Sequence, residues 1–196
     1  MSASIDLVSV AGDPIAAWSR RVRRVGGIIQ LAFAAFWLIR GSLAVGGQAG
    51  ASLVTAAVVL ALGVLTYGVR CTRDVAPRPA GPEARRLERA VTVATVVQLV
   101  ASFAAPAAVL AAGRGEWVLP SIAVTIGPLL LWLDHRVGIR RYKVAGWMLI
   151  VGPVLLGATV SGSALTASTG IGAGLLLLAV AAAGFHDLAV IRRGPS

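Results

Sequence analysis

Charge is scarce in this 196-residue chain: 13% of its residues are Asp, Glu, Lys or Arg, about half of the roughly 25% usual for a soluble domain. Cys71 is the only cysteine, which excludes an intrachain disulfide or a two-cysteine redox centre. It falls near the inner end of an expected helix, where a thiol stays reduced. No polar stretch exceeds residues 70–89, so there is no room for a water-soluble catalytic domain. Several motifs are also missing: a His-Glu-x-x-His metal helix, an Asp-rich diphosphate box and a serine nucleophile elbow. No Asp or Glu stands in the middle of an apolar run, which argues against a proton- or sodium-coupled transporter.

Apolar sequence fills the space instead. The chain is 57% hydrophobic and its mean hydropathy is positive. Six runs are expected to cross a membrane, at about 25–46, 49–69, 90–112, 117–133, 144–165 and 169–191. Each suits a hydrocarbon core of about 30 Å at a helical rise of about 1.5 Å per residue. They must be helical, because an isolated strand cannot satisfy its backbone in lipid, and the alternation of a membrane β-barrel is absent. The expected fold class is all-α: one bundle over 25–193, six transmembrane helices arranged as three helical hairpins. Residues 1–24 form a cytoplasmic segment in which Asp13-Pro14 opens a helix, with Asp13 as its cap. That helix lies along the headgroups or simply extends the first span. No cleavable leader is expected, since the first apolar run follows Arg24 and is too long for a signal core.

Basic residues outnumber acidic ones, 18 to 8. All except Arg40 and Arg114 lie in four clusters, at 20–24, 70–89, 136–143 and 192–193. The connectors at 46–50 and 163–169 are uncharged, and the one at 113–116 holds only Arg114 and Glu116. This asymmetry predicts both termini on the cytoplasmic side of a cell (inner) membrane. The Arg-, Ala- and Gly-rich composition suggests a bacterial source. The positive charge is juxtamembrane, so anionic lipid headgroups at the Arg clusters are the expected partners, not nucleic acid. Trp37 and Trp117 are expected at the outer interface, and Tyr67, Trp132, Tyr142 and Trp147 at the inner one.

Few residues carry chemistry. Arg40 lies about 22 Å along the first span, where it either binds an anion or snorkels to headgroups. Gln98 is the deepest amide, about 12 Å into the third span, and Gln30, Thr95, Ser102, Thr125 and Thr159 are the other polar residues within spans. Arg40 and Gln98 are the candidate ligand-binding residues. Asp134-His135 and His186-Asp187 share a depth near the basic side and are a candidate proton or metal site; the competing reading is ordinary ion pairing with Arg136, Arg140, Arg141, Arg192 and Arg193. Neither a resident cofactor nor a dedicated metal is expected. Pro106, Pro128 and Pro153 free the carbonyls of Ser102, Val124 and Leu149 and read as kinks in helices that continue. Small residues (Gly170 with Gly174, Ala104 with Ala108 and Ala112, Gly157 with Ser161) allow close helix packing or a homo- or hetero-oligomer.

The residues favour a non-catalytic membrane protein, acting as a permease-like subunit or a partner through helix contacts. The alternatives are a small transporter or channel and, third, an intramembrane enzyme using the Asp/His set. A cavity reaching Gln98 or Arg40 would favour transport.

Overall fold

The computed structural model describes residues 14–71 and 82–193, except for the side chains of 14–23, 83, 84, 87, 137 and 191–193. The Asp13 cap and the proline-rich loop at 72–81 lie outside the described residues. Among the described residues the elements are six helices and a short 3-10 turn: α1 (Pro14–Val45), α2 (Gly47–Cys71), α3 (Pro82–Ala111), the turn Gly115–Trp117, α4 (Val118–Val137), α5 (Arg140–Thr159) and α6 (Gly162–Arg193). Each helix contains an apolar span of 20 to 29 residues, enough to cross about 30 Å of hydrocarbon. The protein is an all-α polytopic bundle. Its ends differ: one carries the basic clusters, and the other carries the charge-poor connectors.

The helix boundaries follow local chemistry. Pro14, which lacks an N–H and has a fixed φ, opens α1 in the first turn, where no donor is needed. α1 then runs unbroken to Val45, so the N-terminal basic cluster continues the first span as helix. Gly46 and Gly47 both have positive φ, at 74° and 56°. This costs a glycine little and turns the chain back into α2 at once. α4 ends on Gly138 in the left-handed conformation, its N–H bonded to the Asp134 carbonyl at 2.7 Å, a common helix stop.

The connector between α5 and α6 lies earlier than the 163–169 expected. α5 ends where Val160 becomes extended (φ −133°, ψ 154°), and α6 starts at Gly162. Residues 163–169 are helical despite their serine and threonine content. Thr166 donates to the Gly162 carbonyl and Ser168 to the Ala164 carbonyl. The three prolines sit inside α3, α4 and α5 without interrupting them.

Two seams hold the bundle together. Along the first, α1 and α6 pack antiparallel over most of their length. A Cβ added to Gly41 would lie 2.6 Å from the Ile171 nitrogen, one on Gly174 would lie 2.9 Å from the Leu38 nitrogen, and one on Gly27 would meet the Phe185 ring at 2.8 Å. Glycines at both ends thus let the two backbones touch. Trp37, Ala34, Ala181 and Phe185 are fully buried in this seam. Trp37 is therefore a core residue, not a member of the outer aromatic belt. The second seam joins α4 to α5, where a Cβ on Gly146 would stand 2.8 Å from the Gly127 carbonyl.

α2 packs on α1 and α6, while α3 leans on α4 and barely touches α1. Half of the apolar window of α6 is buried inside the protein, but none of that of α3. Val93, Val96, Val97, Val100 and Phe103 of α3 are each more than half exposed, an apolar surface suited to lipid.

The seam yields a stability prediction. Gly170 faces Gly41, with an added Cβ only 2.5 Å from its Cα, whereas Gly172 has nothing within 4 Å. Gly170→Leu is expected to lower unfolding stability in detergent by about 1–3 kcal/mol through overpacking, and Gly172→Leu to leave it nearly unchanged. Equal denaturation midpoints for the two variants would contradict this packing.

Candidate functional site

On α3 the polar residues recur at helical spacing. Glu88, Thr92, Thr95, Gln98 and Ser102 are three or four positions apart, so they form one stripe about 21 Å long. All five line a cleft of about 500 Å³ enclosed mainly by α1, α3 and α4. It runs from Val25 and Glu88 at the basic end to Phe36, Phe103 and Ile122 toward the charge-poor end. Gln30 and Phe33 line the α1 wall, Ile126 and Leu130 the α4 wall, and Tyr142 and Leu177 contribute from α5 and α6. Beside the mouth, Arg85, Glu88 and Arg89 border a second hollow of about 320 Å³.

The cleft exists because α3 is held on one side only. α1 spends its glycine face on α6, and α4 spends Gly127 on α5, so neither offers α3 a close backbone contact. The tie from α3 to α4 is instead polar. Gln98 Nε2 donates to Ser102 Oγ (3.4 Å), Ser102 Oγ and Thr125 Oγ1 lie 2.9 Å apart, and Thr125 donates to the Ile122 carbonyl at 2.8 Å. A hydroxyl has one proton. Thr125 spends its own on Ile122, so Ser102 must donate to Thr125 and accept from Gln98. The chain therefore has one direction: amide to serine to threonine to backbone. Pro106 lacks the N–H that would bond the Ser102 carbonyl, so the backbone ladder is open beside this same tie.

The threonines are less polar than their type suggests. Thr92 donates to the Glu88 carbonyl at 2.9 Å and Thr95 to the Val91 carbonyl at 2.8 Å.

The residues singled out by sequence are placed apart. Gln98 lines the cleft, but Arg40 does not; it is exposed on α1, near the charge-poor end. At the basic end, His186 Nδ1 shares a 3.2 Å hydrogen bond with the Tyr67 hydroxyl of α2, and Asp187 pairs with Arg141 of α5 at 2.8 Å. These neighbours on α6 thus tie it to two different helices. His135 is exposed and Asp134 half-buried on α4, where Arg136 lies 5.8 Å from the Trp132 ring centroid. Among the described residues, no three His, Cys, Asp or Glu side chains stand close enough together to hold a metal ion.

Gln30 is the residue whose importance the sequence understated. It is 8% exposed and forms part of the cleft wall, yet its position on α1 carries no local signal. The stripe on α3 was detectable, since its spacing alone puts 88, 92, 95, 98 and 102 on one face. What the spacing omits is the empty space opposite it.

No family model, curated protein or solved structure matches this chain. The fold itself defines a class: a multi-pass membrane protein built of six apolar helices.

The hydrogen-bond chain can be tested energetically. A double-mutant cycle of Ser102→Ala and Thr125→Val is expected to give a coupling of about 0.6 kcal/mol, the usual size for an interhelical hydrogen bond in a membrane protein. Additive effects in denaturant titrations would show that α3 is not tied to α4 here.

Proposed function

We propose that this protein binds and carries a small lipid-soluble molecule in the cleft between α1, α3 and α4, acting as a non-catalytic transporter of a bacterial inner membrane. One observation carries this reading: a cleft of about 500 Å³ lined by the Glu88-to-Ser102 stripe and reaching Gln98. The α3–α4 tie accounts for Ser102 and one N–H of Gln98, and the rest of the Gln98 amide is left facing the cleft. The permease-like subunit and partner roles rank behind this one, because neither needs an internal space. An enzyme using His135 and His186 ranks last: Tyr67 holds His186, and Arg141 holds the adjacent Asp187.

Two further features support a carrier. α3 is the least buried helix, so its displacement sacrifices the least packing. Among the described residues, the only acidic one lining the cleft is Glu88, at the mouth, so transport coupled to ions through a deep carboxylate is not part of the proposal. Arg40 is assigned to headgroup contact, and the Arg clusters to anionic lipid on the cytoplasmic side, with both termini on that side.

Cysteine accessibility tests the cleft. In a Cys71→Ser background, Thr95→Cys and Gln98→Cys are expected to react with a small membrane-impermeant thiol reagent applied to inside-out vesicles. Val97→Cys and Val100→Cys, on the apolar outer face, are expected to stay unlabelled. Uniform silence at all four positions would mean a closed, dry interior and would end the carrier reading. Reporter fusions after residue 79 and at the C-terminus test the orientation, and both are expected to report the cytoplasm.

A further inference from the structure

The hydrogen-bonding capacity left open in the cleft indicates what it selects; this step rests on the carrier reading above. Gln30 is 8% exposed and lines the cleft, and its side chain makes no hydrogen bond to any described residue. Its amide offers two donor hydrogens and an acceptor oxygen, which water or a ligand in the cleft is left to meet. Gln98 commits a single N–H, at 3.4 Å, to Ser102, which leaves its carbonyl oxygen and second N–H free. The Thr92, Thr95, Ser102 and Thr125 hydroxyl protons are already committed. Tyr142 and Glu88 near the mouth already take part in interactions, so the open polar capacity along the described lining lies in two neutral amides, one on α1 and one on α3. Around them the wall is apolar, with Phe33, Phe36 and Phe103 among the lining residues.

We propose that Gln30 and Gln98 form a neutral hydrogen-bonding site for an uncharged, lipid-soluble molecule that carries carbonyl or hydroxyl oxygens on an apolar body. A phosphate, carboxylate or ammonium placed between the two amides would lose its water and meet no countercharge. The amides, in contrast, satisfy a carbonyl or hydroxyl at no electrostatic cost. The apolar remainder of such a molecule leaves laterally between α1 and α3, which scarcely touch. A quinone ring and the free hydroxyl of a diacylglycerol both present this chemistry.

The test uses the purified full chain in phosphatidylcholine nanodiscs with three probes: a decyl-chain quinone, dioctanoylglycerol and dioctanoylphosphatidic acid. The last two differ only by a phosphate. One neutral probe is expected to bind saturably, its identity separating the two sources, and phosphatidic acid to bind at least about tenfold more weakly than that probe. Gln30→Leu and Gln98→Leu are each expected to weaken neutral binding about tenfold, and the exposed Gln48→Leu to leave it unchanged. Should Gln30→Leu fail to fold, Gln98→Leu on the loosely packed α3 carries the comparison alone. Phosphatidic acid binding as tightly as the neutral probes, full-strength binding by the Gln98 variant, or no binding of any probe would each overturn the proposal. In those cases reactive cysteines at 95 and 98 would still uphold the cleft, whereas their silence would remove the carrier reading itself.

Discussion

Close backbone contact between α1 and α6 is the constraint on which the remaining arrangement depends. Lipid is as apolar as the helices, so burying leucine against leucine gains little in a bilayer, and helices associate through packing and interhelical hydrogen bonds. Gly41 against Gly170 and Ile171, and Gly174 against Leu38, bring two long helices to backbone distance. Trp37 and Phe185 then fill the seam completely. α2 joins this pair through similar contacts: a Cβ on Gly50 would lie 2.7 Å from the Ser42 carbonyl, and one on Gly68 would meet the Phe185 ring. Phe185 is thus shared by three helices, which explains why a residue this large near the end of α6 is wholly buried.

The same commitment creates the empty space. A helix has a limited surface for small-residue contact. Once α1 faces α6 and α4 faces α5, Gly26 is the one α1 glycine that still lines the cleft beside α3 among the described residues, and a single glycine does not make a packing face. The α3 alanines at 104, 108 and 112 are exposed, so the stripe that might have packed it faces away from the bundle. α3 is left with side-chain contacts to α4 and the Gln98–Ser102–Thr125 chain. The cleft is therefore what remains when two strong seams form beside a helix that cannot join either of them.

Much of the architecture was legible in the sequence because bilayer constraints act locally along the chain. Six helices, their all-α class and the short turn at Gly46 and Gly47 follow from run length and glycine content, whereas the tight turn at Gly138 lies inside what reads as a ten-residue connector. The errors came where neighbouring helices decide. Trp37 has the composition and depth of an interfacial anchor, but its burial is imposed by α6. Residues 163–169 look like a connector by their Ser and Thr content, yet they belong to α6, where Leu165, Ala167 and Thr169 are buried in the bundle. Gly170 and Gly174 were recognised as packing residues, but their partners, Gly41 and Leu38, lie more than a hundred residues away, and no local pattern names them. The site divides in the same way. Gln98 stood out by its depth, whereas Gln30 matters through the space beside it.

The loose attachment of α3 links this architecture to the proposed role. An interhelical hydrogen bond in a membrane contributes about 0.6 kcal/mol on average, comparable to thermal energy, so the Ser102–Thr125 contact fixes a register more than it locks a position. Pro106 lies one turn beyond Ser102 and leaves the backbone ladder open there. The hydrogen-bonded tie of α3 to α4 and the open backbone turn of α3 thus lie close together toward the charge-poor end of the cleft. Movement of α3 about that point would alter the cleft while both seams stayed intact, which separates the part of the bundle that must be rigid from the part that a carrier needs to move.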